Sequence, residues 1–175
     1  NDNAPWLAWV SFSRPHQPYT PSEPYASMYP PDSVSLPPTA ETETAEVRER
    51  RRVIDEPQLR QIVSAYLGLV SQVDYGLGLI LAELERQGDL ENTIIVYASD
   101  HGDYAGEHGL FEKKGGISSR AITRIPLIVR FPRQVIAGQL CEEMVESVDL
   151  FPTLCDLAGL DRPNHLQGRT FLSLL

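Results

Sequence analysis

The chain has 175 residues, of which 42% are hydrophobic and 22% are charged, and its formal net charge is -9. This length and balance are typical of one globular domain with a sizeable core, so we expect residues 1–175 to contain no separate second domain. The acidic balance argues against general binding to nucleic acid, which needs a basic face, although local basic residues could still bind a small anion.

The sequence gives little sign of a disulfide framework or of a membrane span. Cys141 and Cys155 show no CxxC spacing, which favours two reduced and mostly buried thiols, with a single disulfide as the alternative. No uninterrupted apolar run approaches the roughly 20 residues that cross a bilayer. The first residues lack the basic start of a signal peptide, and a chain that opens without Met could be cut from something longer. The compartment is therefore left open.

The N-terminal part combines a predicted strand with a long loop. Residues 5–13, PWLAWVSFS, are aromatic and β-branched with little charge, and they predict a buried strand. Residues 14–38, the proline-rich loop, contain eight prolines, which exclude regular helix and central strand. Residues 39–56 are highly charged and predict a solvated, partly helical continuation, so that 14–56 forms one proline-rich and charged loop.

The tyrosines of the proline-rich loop, Tyr19, Tyr25 and Tyr29, suggest an ordered loop and not a free linker. We expect them to pack on the surface of the domain. The alternative is that they line a pocket for a sugar or an aromatic alcohol.

The rest of the chain alternates helical and strand patterns. Residues 57–87 predict a helix, with Gly88 as its stop, and its apolar residues recur every three or four positions. The glycines at 76 and 78 lack the third glycine of a dinucleotide-binding motif, and they lie inside this helix, so they do not indicate a dinucleotide-binding loop. Residues 92–99 and 125–132 predict two further strands, and residues 146–160 predict a short helix.

This order of elements predicts an α/β fold with a mainly parallel sheet flanked by helices. In such sheets, functional side chains collect at the carboxyl ends of the strands. Two predicted strands here end in polar residues, in the stretches SFSRPH and YASDHG.

Asp100 and His101 follow one of these strands directly, and an Asp carboxylate and a His imidazole can turn toward one cation. The alternative is structural, with Asp100 capping the following turn and His101 packed in the surface. On their own these two residues would accept manganese or zinc as well as calcium.

Two further residues favour a site for an anion. His16 follows the first strand, and Lys113 lies in FEKK after the second. A tetrahedral sulfuryl or phosphoryl group needs a cation and additional positive donors around its oxygens. Lysine can supply a point charge, and histidine can donate to the substrate or protonate a leaving group.

Three consecutive blocks, WLAWVSFSRPHQPYTPSEPY, IIVYASDHGDYAGEHGLFEKKGGISSRAITRIPLIVRFP and VESVDLFPTLCDLAGL, resemble the sulfatase family of the alkaline phosphatase superfamily. The resemblance covers nearly the whole chain, and it implies an alkaline-phosphatase-like fold that is incomplete in this chain. It also implies hydrolysis of the sulfate ester of a small molecule or glycan. The close alternative is hydrolysis of a phosphonate or phosphate ester, and a further alternative is a sulfatase-like binding module without catalysis.

The resemblance also implies residue roles. Asp100 and His101 match metal ligands, with calcium as the expected ion. His16 and Lys113 match residues that contact the transferred group, although the adjacent Lys114 is an alternative to Lys113. His108 matches a supporting position in GEHG.

Asp149 matches a structural position that helps to hold the last predicted helix near the sheet.

The family's nucleophile is missing from this chain. Sulfatases use a formylglycine made from cysteine in a C-x-P-S-R motif, or a serine in the same frame, and neither Cys141 nor Cys155 lies in such a motif. We therefore expect the chain to be the C-terminal part of a catalytic domain. On this prediction it is inactive alone and needs the N-terminal part of the same domain as its partner.

Overall fold

The computed structural model describes residues 4–37, 45, 47, 54–113 and 119–175. These divide into two compact units, which are treated separately below. The first comprises Asn1–Leu79 with Asp103–Ile122, and the second comprises Ile80–Gly102 with Thr123–Leu175.

The predicted long helix is confirmed. Helix α2 runs Glu56–Gln87, after a short helix α1 at Tyr25–Met28. Asp55 caps its start, because the carboxylate accepts a hydrogen bond of 2.8 Å from the backbone N–H of Gln58 in the first turn. Gly88, with a φ of +79°, ends the helix in the left-handed conformation that glycine tolerates best.

Helix α2 also passes a length and composition test for a membrane span, with a mean hydropathy of 1.3 over its best window. The core helix of a water-soluble domain passes the same test, so this property is weak evidence by itself. Part of the helix carries exposed apolar side chains, among them Val70, Tyr75 and Leu79.

The proline-rich loop packs on α2, as expected. Tyr29 and Ser71 hydrogen-bond through their hydroxyl oxygens at 2.7 Å, and the Ser64 hydroxyl donates to the carbonyl oxygen of Tyr29. Gly68 is buried beneath the loop, where a β-carbon would lie only 2.5 Å from the carbonyl oxygen of Tyr25. The continuation at 39–53 lies outside the described residues, except for Ala45 and Val47, which are helical.

The prediction of an N-terminal strand at residues 5–13 is wrong. Residues 4–13 form no strand, and their large apolar side chains are exposed: Leu7 by 85% and Trp9 by 88%. A strand needs hydrogen bonds to a neighbouring strand, and the apolar composition that predicted one does not supply that neighbour. The segment is therefore an apolar surface within the part of the chain that the structure describes.

In the second unit, strand β1 runs Ile95–Ala98 and strand β2 runs Leu127–Arg130, both within their predicted ranges. They pair antiparallel, with Ile95 opposite Arg130 and Ala98 opposite Leu127. This is the only strand pair among the described residues, so the mainly parallel sheet is not confirmed. Hydrophobic periodicity predicts that a segment is a buried strand, but it does not predict the direction of its neighbour.

The predicted C-terminal helix is confirmed in two parts. A 3₁₀ turn at Ser147–Asp149 leads into helix α4 at Leu150–Leu157, and Gly159 follows in the left-handed region. The other short elements in the described part of the chain are helix α3 at Arg120–Thr123 and four further 3₁₀ turns, at Pro31–Ser33, Leu90–Asn92, Glu107–Gly109 and Leu172–Leu174.

Each unit has its own small core. In the first, Val47, Tyr104 and Leu110 are buried together, with Ala121 and Ile122 packed against them.

In the second unit, Cys155, Leu157 and Phe171 are buried. Both cysteines are free thiols, as predicted, but only Cys155 is buried; the expected burial is wrong for Cys141, which is exposed.

Candidate functional site

Asp100 and His101 lie immediately after β1, in a turn that the local polar groups fix. The Ser99 hydroxyl donates to the carbonyl oxygen of His101 at 2.8 Å, and the backbone N–H of His101 donates to Asp100 Oδ1 at 2.9 Å. Oδ1 of Asp100 therefore caps the following turn, as the structural alternative predicted. The other oxygen, Oδ2, lies 3.5 Å from Nε2 of His101.

The hydrogen bonds of His101 define which ring nitrogen can bind a cation. Nδ1 lies 2.7 Å from the carbonyl oxygen of Gly102, and a carbonyl oxygen can only accept, so Nδ1 carries the proton. In the neutral ring the lone pair is then on Nε2, beside the Asp100 carboxylate. Metal-binding histidines are commonly oriented by such a bond from the second nitrogen to a backbone carbonyl.

The chemistry of this pair fits a divalent cation. Oxygen and nitrogen ligands bind Ca²⁺ or Zn²⁺ at about 2.0–2.6 Å, and two ligand atoms 3.5 Å apart are compatible with one ion between them. The side chain of Asp100 is 84% exposed and that of His101 28%, so solvent reaches both. Among the described residues no third His, Cys, Asp or Glu completes the group, so the pair is a partial ligand set.

His16 lies in a compact turn of the first unit. Its backbone N–H donates to Ser13 at 3.2 Å, and the Arg14 guanidinium closes the turn with a bond of 2.6 Å to the carbonyl oxygen of Pro18. The imidazole is exposed, and its Nδ1 donates to the carbonyl oxygen of Gln17 at 2.8 Å. As in His101, Nε2 therefore carries the lone pair of the neutral ring.

Lys113 is exposed at the end of a loop formed by residues 103–112. Its neighbour Glu112 has a φ of +62°, which is unusual for a residue with a side chain. The loop closes on itself through bonds from Tyr104 to Glu112 at 3.1 Å and from Gly106 to Leu110 at 2.9 Å. Lys114, the alternative to Lys113, lies outside the described residues.

His108 is partly buried in the same loop, with a φ of +56°. Its Nε2 lies 3.3 Å from a carboxylate oxygen of Glu107. The supporting role expected for His108 stays a prediction.

Sequence reasoning missed Asp103, whose carboxylate organises the loop that carries Lys113. It accepts the backbone N–H of Ala105 at 2.8 Å and that of Glu112 at 3.1 Å. It also accepts the hydroxyl of Tyr19 on both oxygens, at 3.0 and 2.9 Å. The only signal in the sequence was a second carboxylate in SDHGD, and nothing there pointed to a partner 84 residues away.

The environment of Tyr19 keeps its hydroxyl protonated. Burial raises the pKa of Tyr19 above its ordinary value, and the negative charge and hydrogen bond of Asp103 raise it further. The ring also packs edge-on against Tyr66 of α2, with centroids 5.9 Å apart. Tyr19 is thus a fixed hydrogen-bond donor to Asp103.

The predicted site residues fall in the two units. Asp100 and His101 lie in the second unit and contact one another, whereas His16 and Lys113 lie on two separate loops of the first. Asp149 takes no part in this chemistry. It accepts backbone N–H groups of Glu146 at 3.0 Å and Arg169 at 2.8 Å, and so holds the start of α4 and a later loop.

Comparisons with known proteins identify the family to which this chain belongs. A model of the sulfatase family matches residues 1–160. The chain is 32% identical to the multifunctional alkaline phosphatase superfamily protein PehA of Trinickia caryophylli, over 99% of this chain and 38% of that protein. It is 30% identical to an arylsulfatase of Clostridium perfringens, over 98% of this chain and 37% of that protein.

A solved structure, the phosphonate monoester hydrolase of Agrobacterium radiobacter, superposes with a TM-score of 0.86 at 32% identity. The match covers 99% of this chain and 38% of that one. The chain therefore belongs to the sulfatase family, a family of hydrolases that shares its fold with phosphonate monoester hydrolases. It spans less than two fifths of the length of these relatives.

Proposed function

We propose that this chain supplies the metal-binding and oxyanion-binding residues of a sulfuric ester hydrolase of the arylsulfatase type. The observation that carries the proposal is the Asp100–His101 pair, with a carboxylate oxygen and an imidazole nitrogen 3.5 Å apart and the ring fixed by Gly102. The match of the sulfatase family over residues 1–160 supports the reaction class.

In this proposal Asp100 and His101 hold a divalent cation, with Ca²⁺ preferred and Mn²⁺ or Zn²⁺ as alternatives. When bound, the cation would offset negative charge that develops on the tetrahedral group and its attacking oxygen. The protein's part is to orient these two side chains, since the bond from Nδ1 of His101 to Gly102 leaves Nε2 beside the Asp100 carboxylate as the nitrogen available to the ion.

His16 and Lys113 bind the transferred group. Lys113 supplies a positive point charge to an equatorial or leaving-group oxygen. His16 has its Nδ1 proton occupied by Gln17, so the neutral ring accepts at Nε2 and the protonated ring donates there. It could therefore hold the anion or pass a proton to the departing alcohol.

The nucleophile belongs to the remainder of the protein in this proposal. A formylglycine, or a serine in the same frame, would lie in an N-terminal part of the domain that this chain does not contain. The exposed apolar side chains of residues 6–12 are consistent with such a part lying against them, because that burial would remove large apolar areas from water. The chain alone is then expected to be inactive.

A second candidate function is hydrolysis of a phosphonate or phosphate ester by the same residues. It is favoured by the similarity to PehA and to the phosphonate monoester hydrolase, each at 32% identity. Sulfate and phosphonate monoesters both present a tetrahedral anion, so the described side chains would serve either group.

The experiment uses the protein at its native length, freed of metal by a chelator. Hydrolysis of 4-nitrophenyl sulfate and of 4-nitrophenyl phenylphosphonate is measured after addition of Ca²⁺, Mn²⁺ or Zn²⁺. We expect turnover to require a cation and to be faster with the sulfate. Faster turnover of the phosphonate would select the second candidate, and no turnover of either with any cation would favour a binding module. Peptide mapping would look for formylglycine.

A calorimetric titration tests the metal ligands directly. Asp100→Ala should weaken cation binding by at least tenfold, because it removes the carboxylate and leaves only the imidazole of His101 from this pair to bind the ion. The matched control is Asp74→Ala, which removes an exposed aspartate of α2 and should leave binding unchanged. Equal affinities in the two variants would refute the metal role.

A further inference from the structure

The loop that carries Lys113 has a strained backbone that must be held by side-chain hydrogen bonds. Three residues with side chains, Ala105, His108 and Glu112, have positive φ values of 44°, 56° and 62°. Such conformations cost free energy and persist only where surrounding contacts enforce them. Two of the three, Ala105 and Glu112, donate their backbone N–H groups to Asp103.

Asp103 therefore sets the backbone immediately before Lys113. Its Oδ1 accepts from Glu112 N, the residue that precedes the lysine, at 3.1 Å. A charged acceptor makes such bonds stronger than a neutral one. Loss of this acceptor would free Glu112 from its left-handed conformation and would move the base of the Lys113 side chain.

Tyr19 connects this loop to the turn that carries His16. It lies three residues after His16 and directly follows Pro18, whose carbonyl oxygen accepts the Arg14 guanidinium at 2.6 Å. Its hydroxyl reaches both oxygens of Asp103, and its ring is held by Tyr66. All of these residues belong to the first unit, so this connection lies within one compact body.

We infer that Tyr19 and Asp103 form a positioning pair, which fixes the His16 turn and the Lys113 loop relative to each other so that both side chains can contact one tetrahedral anion. This inference rests on the proposed function, since it assigns the pair a role in that same site. Neither residue touches the substrate in this account. Asp103 acts through the backbone of Glu112, which precedes Lys113, and Tyr19 acts through its bond to Asp103 and its place three residues after His16.

The principal variant is Tyr19→Phe in the protein at native length with its cation. It removes the hydroxyl and keeps the ring against Tyr66. Small displacements of groups that contact a substrate can cost on the order of a hundredfold in rate. We expect kcat for the better of the two 4-nitrophenyl esters to fall by about tenfold to a hundredfold, with a smaller change in KM.

Tyr29→Phe is the matched control. It removes a hydroxyl from the same proline-rich loop, with a comparable bond of 2.7 Å, but its partner Ser71 is on α2 and not on the Lys113 loop. Both variants should lower the melting temperature by similar amounts, and only Tyr19→Phe should lower kcat. Equal effects of the two variants on kcat would overturn the inference.

A double-mutant cycle separates positioning from general destabilisation. If Tyr19 acts through Lys113, Tyr19→Phe should have little further effect on kcat in a Lys113→Ala background. The same factor in both backgrounds would overturn the inference while leaving the proposed function intact. Full turnover in Lys113→Ala alone would overturn both.

Asp103→Asn is a second test from the other side of the pair. It preserves the shape of the side chain and removes the charge that holds Glu112 and Tyr19. We expect kcat to fall at least as far as in Tyr19→Phe. In a Lys113→Ala background, Asp103→Asn should likewise have little further effect on kcat. Normal kcat in a folded Asp103→Asn protein would refute the positioning role.

Discussion

Gly68→Ala should destabilise the protein although alanine is the better helix former. An alanine in a helix interior is favoured over glycine by about 1 kcal/mol. Here the added β-carbon would lie 2.5 Å from the carbonyl oxygen of Tyr25 and 3.1 Å from Cγ of Pro21. The first contact is with backbone, so the loop must move. Overpacking costs about 1–3 kcal/mol, and a contact with backbone places this change in the upper part of that range, so after the gain of about 1 kcal/mol we expect a net loss of about 1–2 kcal/mol.

Gly78→Ala provides the control on the same helix. No atom lies within 4 Å of the position that a β-carbon would take there, so the helix propensity should dominate and raise the free energy of unfolding by up to about 1 kcal/mol. Urea denaturation followed by circular dichroism measures both changes. The reasoning is refuted if Gly68→Ala is as stable as the parent, because the loop would then not be packed on α2 at this point.

Two further predictions concern the second unit. Thr153→Val should lower the free energy of unfolding by about 1–3 kcal/mol in urea denaturation, since it leaves the buried N–H of Phe171 without its 3.1 Å acceptor; no change would show that water replaces the hydroxyl. Hydrogen bonds from backbone N–H groups, chiefly that of Arg169 and then that of Glu146, lower the pKa of Asp149 below its ordinary value of 3.8. The charged carboxylate therefore contributes its full stability above pH 3.8, and this contribution is lost as the pH falls through the lowered pKa. In Asp149→Asn the free energy of unfolding should therefore fall less steeply at acid pH than in the parent protein. An unchanged acid dependence would contradict this prediction.

Local sequence patterns were sufficient to predict the long helix and the strand that precedes the candidate ligands Asp100 and His101. The apolar run before Asp100 predicted β1, and the recurrence of apolar residues predicted α2 to within one residue at its start. These predictions succeed because helices and strands impose short periods on burial. The adjacency of Asp100 and His101 in the chain also made their contact predictable.

Long-range relations were not predictable in the same way. The antiparallel pairing of β1 with β2 depends on which segments meet, and the exposure of residues 4–13 depends on which neighbour covers them. The bond from Tyr19 to Asp103 joins residues far apart in sequence, and neither residue type indicates the other.

The sequence by itself determined the sulfatase family, the long helix and the candidate residues His16, Asp100, His101 and Lys113, because motif spacing and hydrophobic periodicity are local properties of the chain. Only the tertiary structure decided the tautomer of His101, the direction of the strands and the carboxylate that holds the Lys113 loop. Those features arise from distances between groups that are brought together by packing, and packing is determined by the whole set of contacts and not by any single segment.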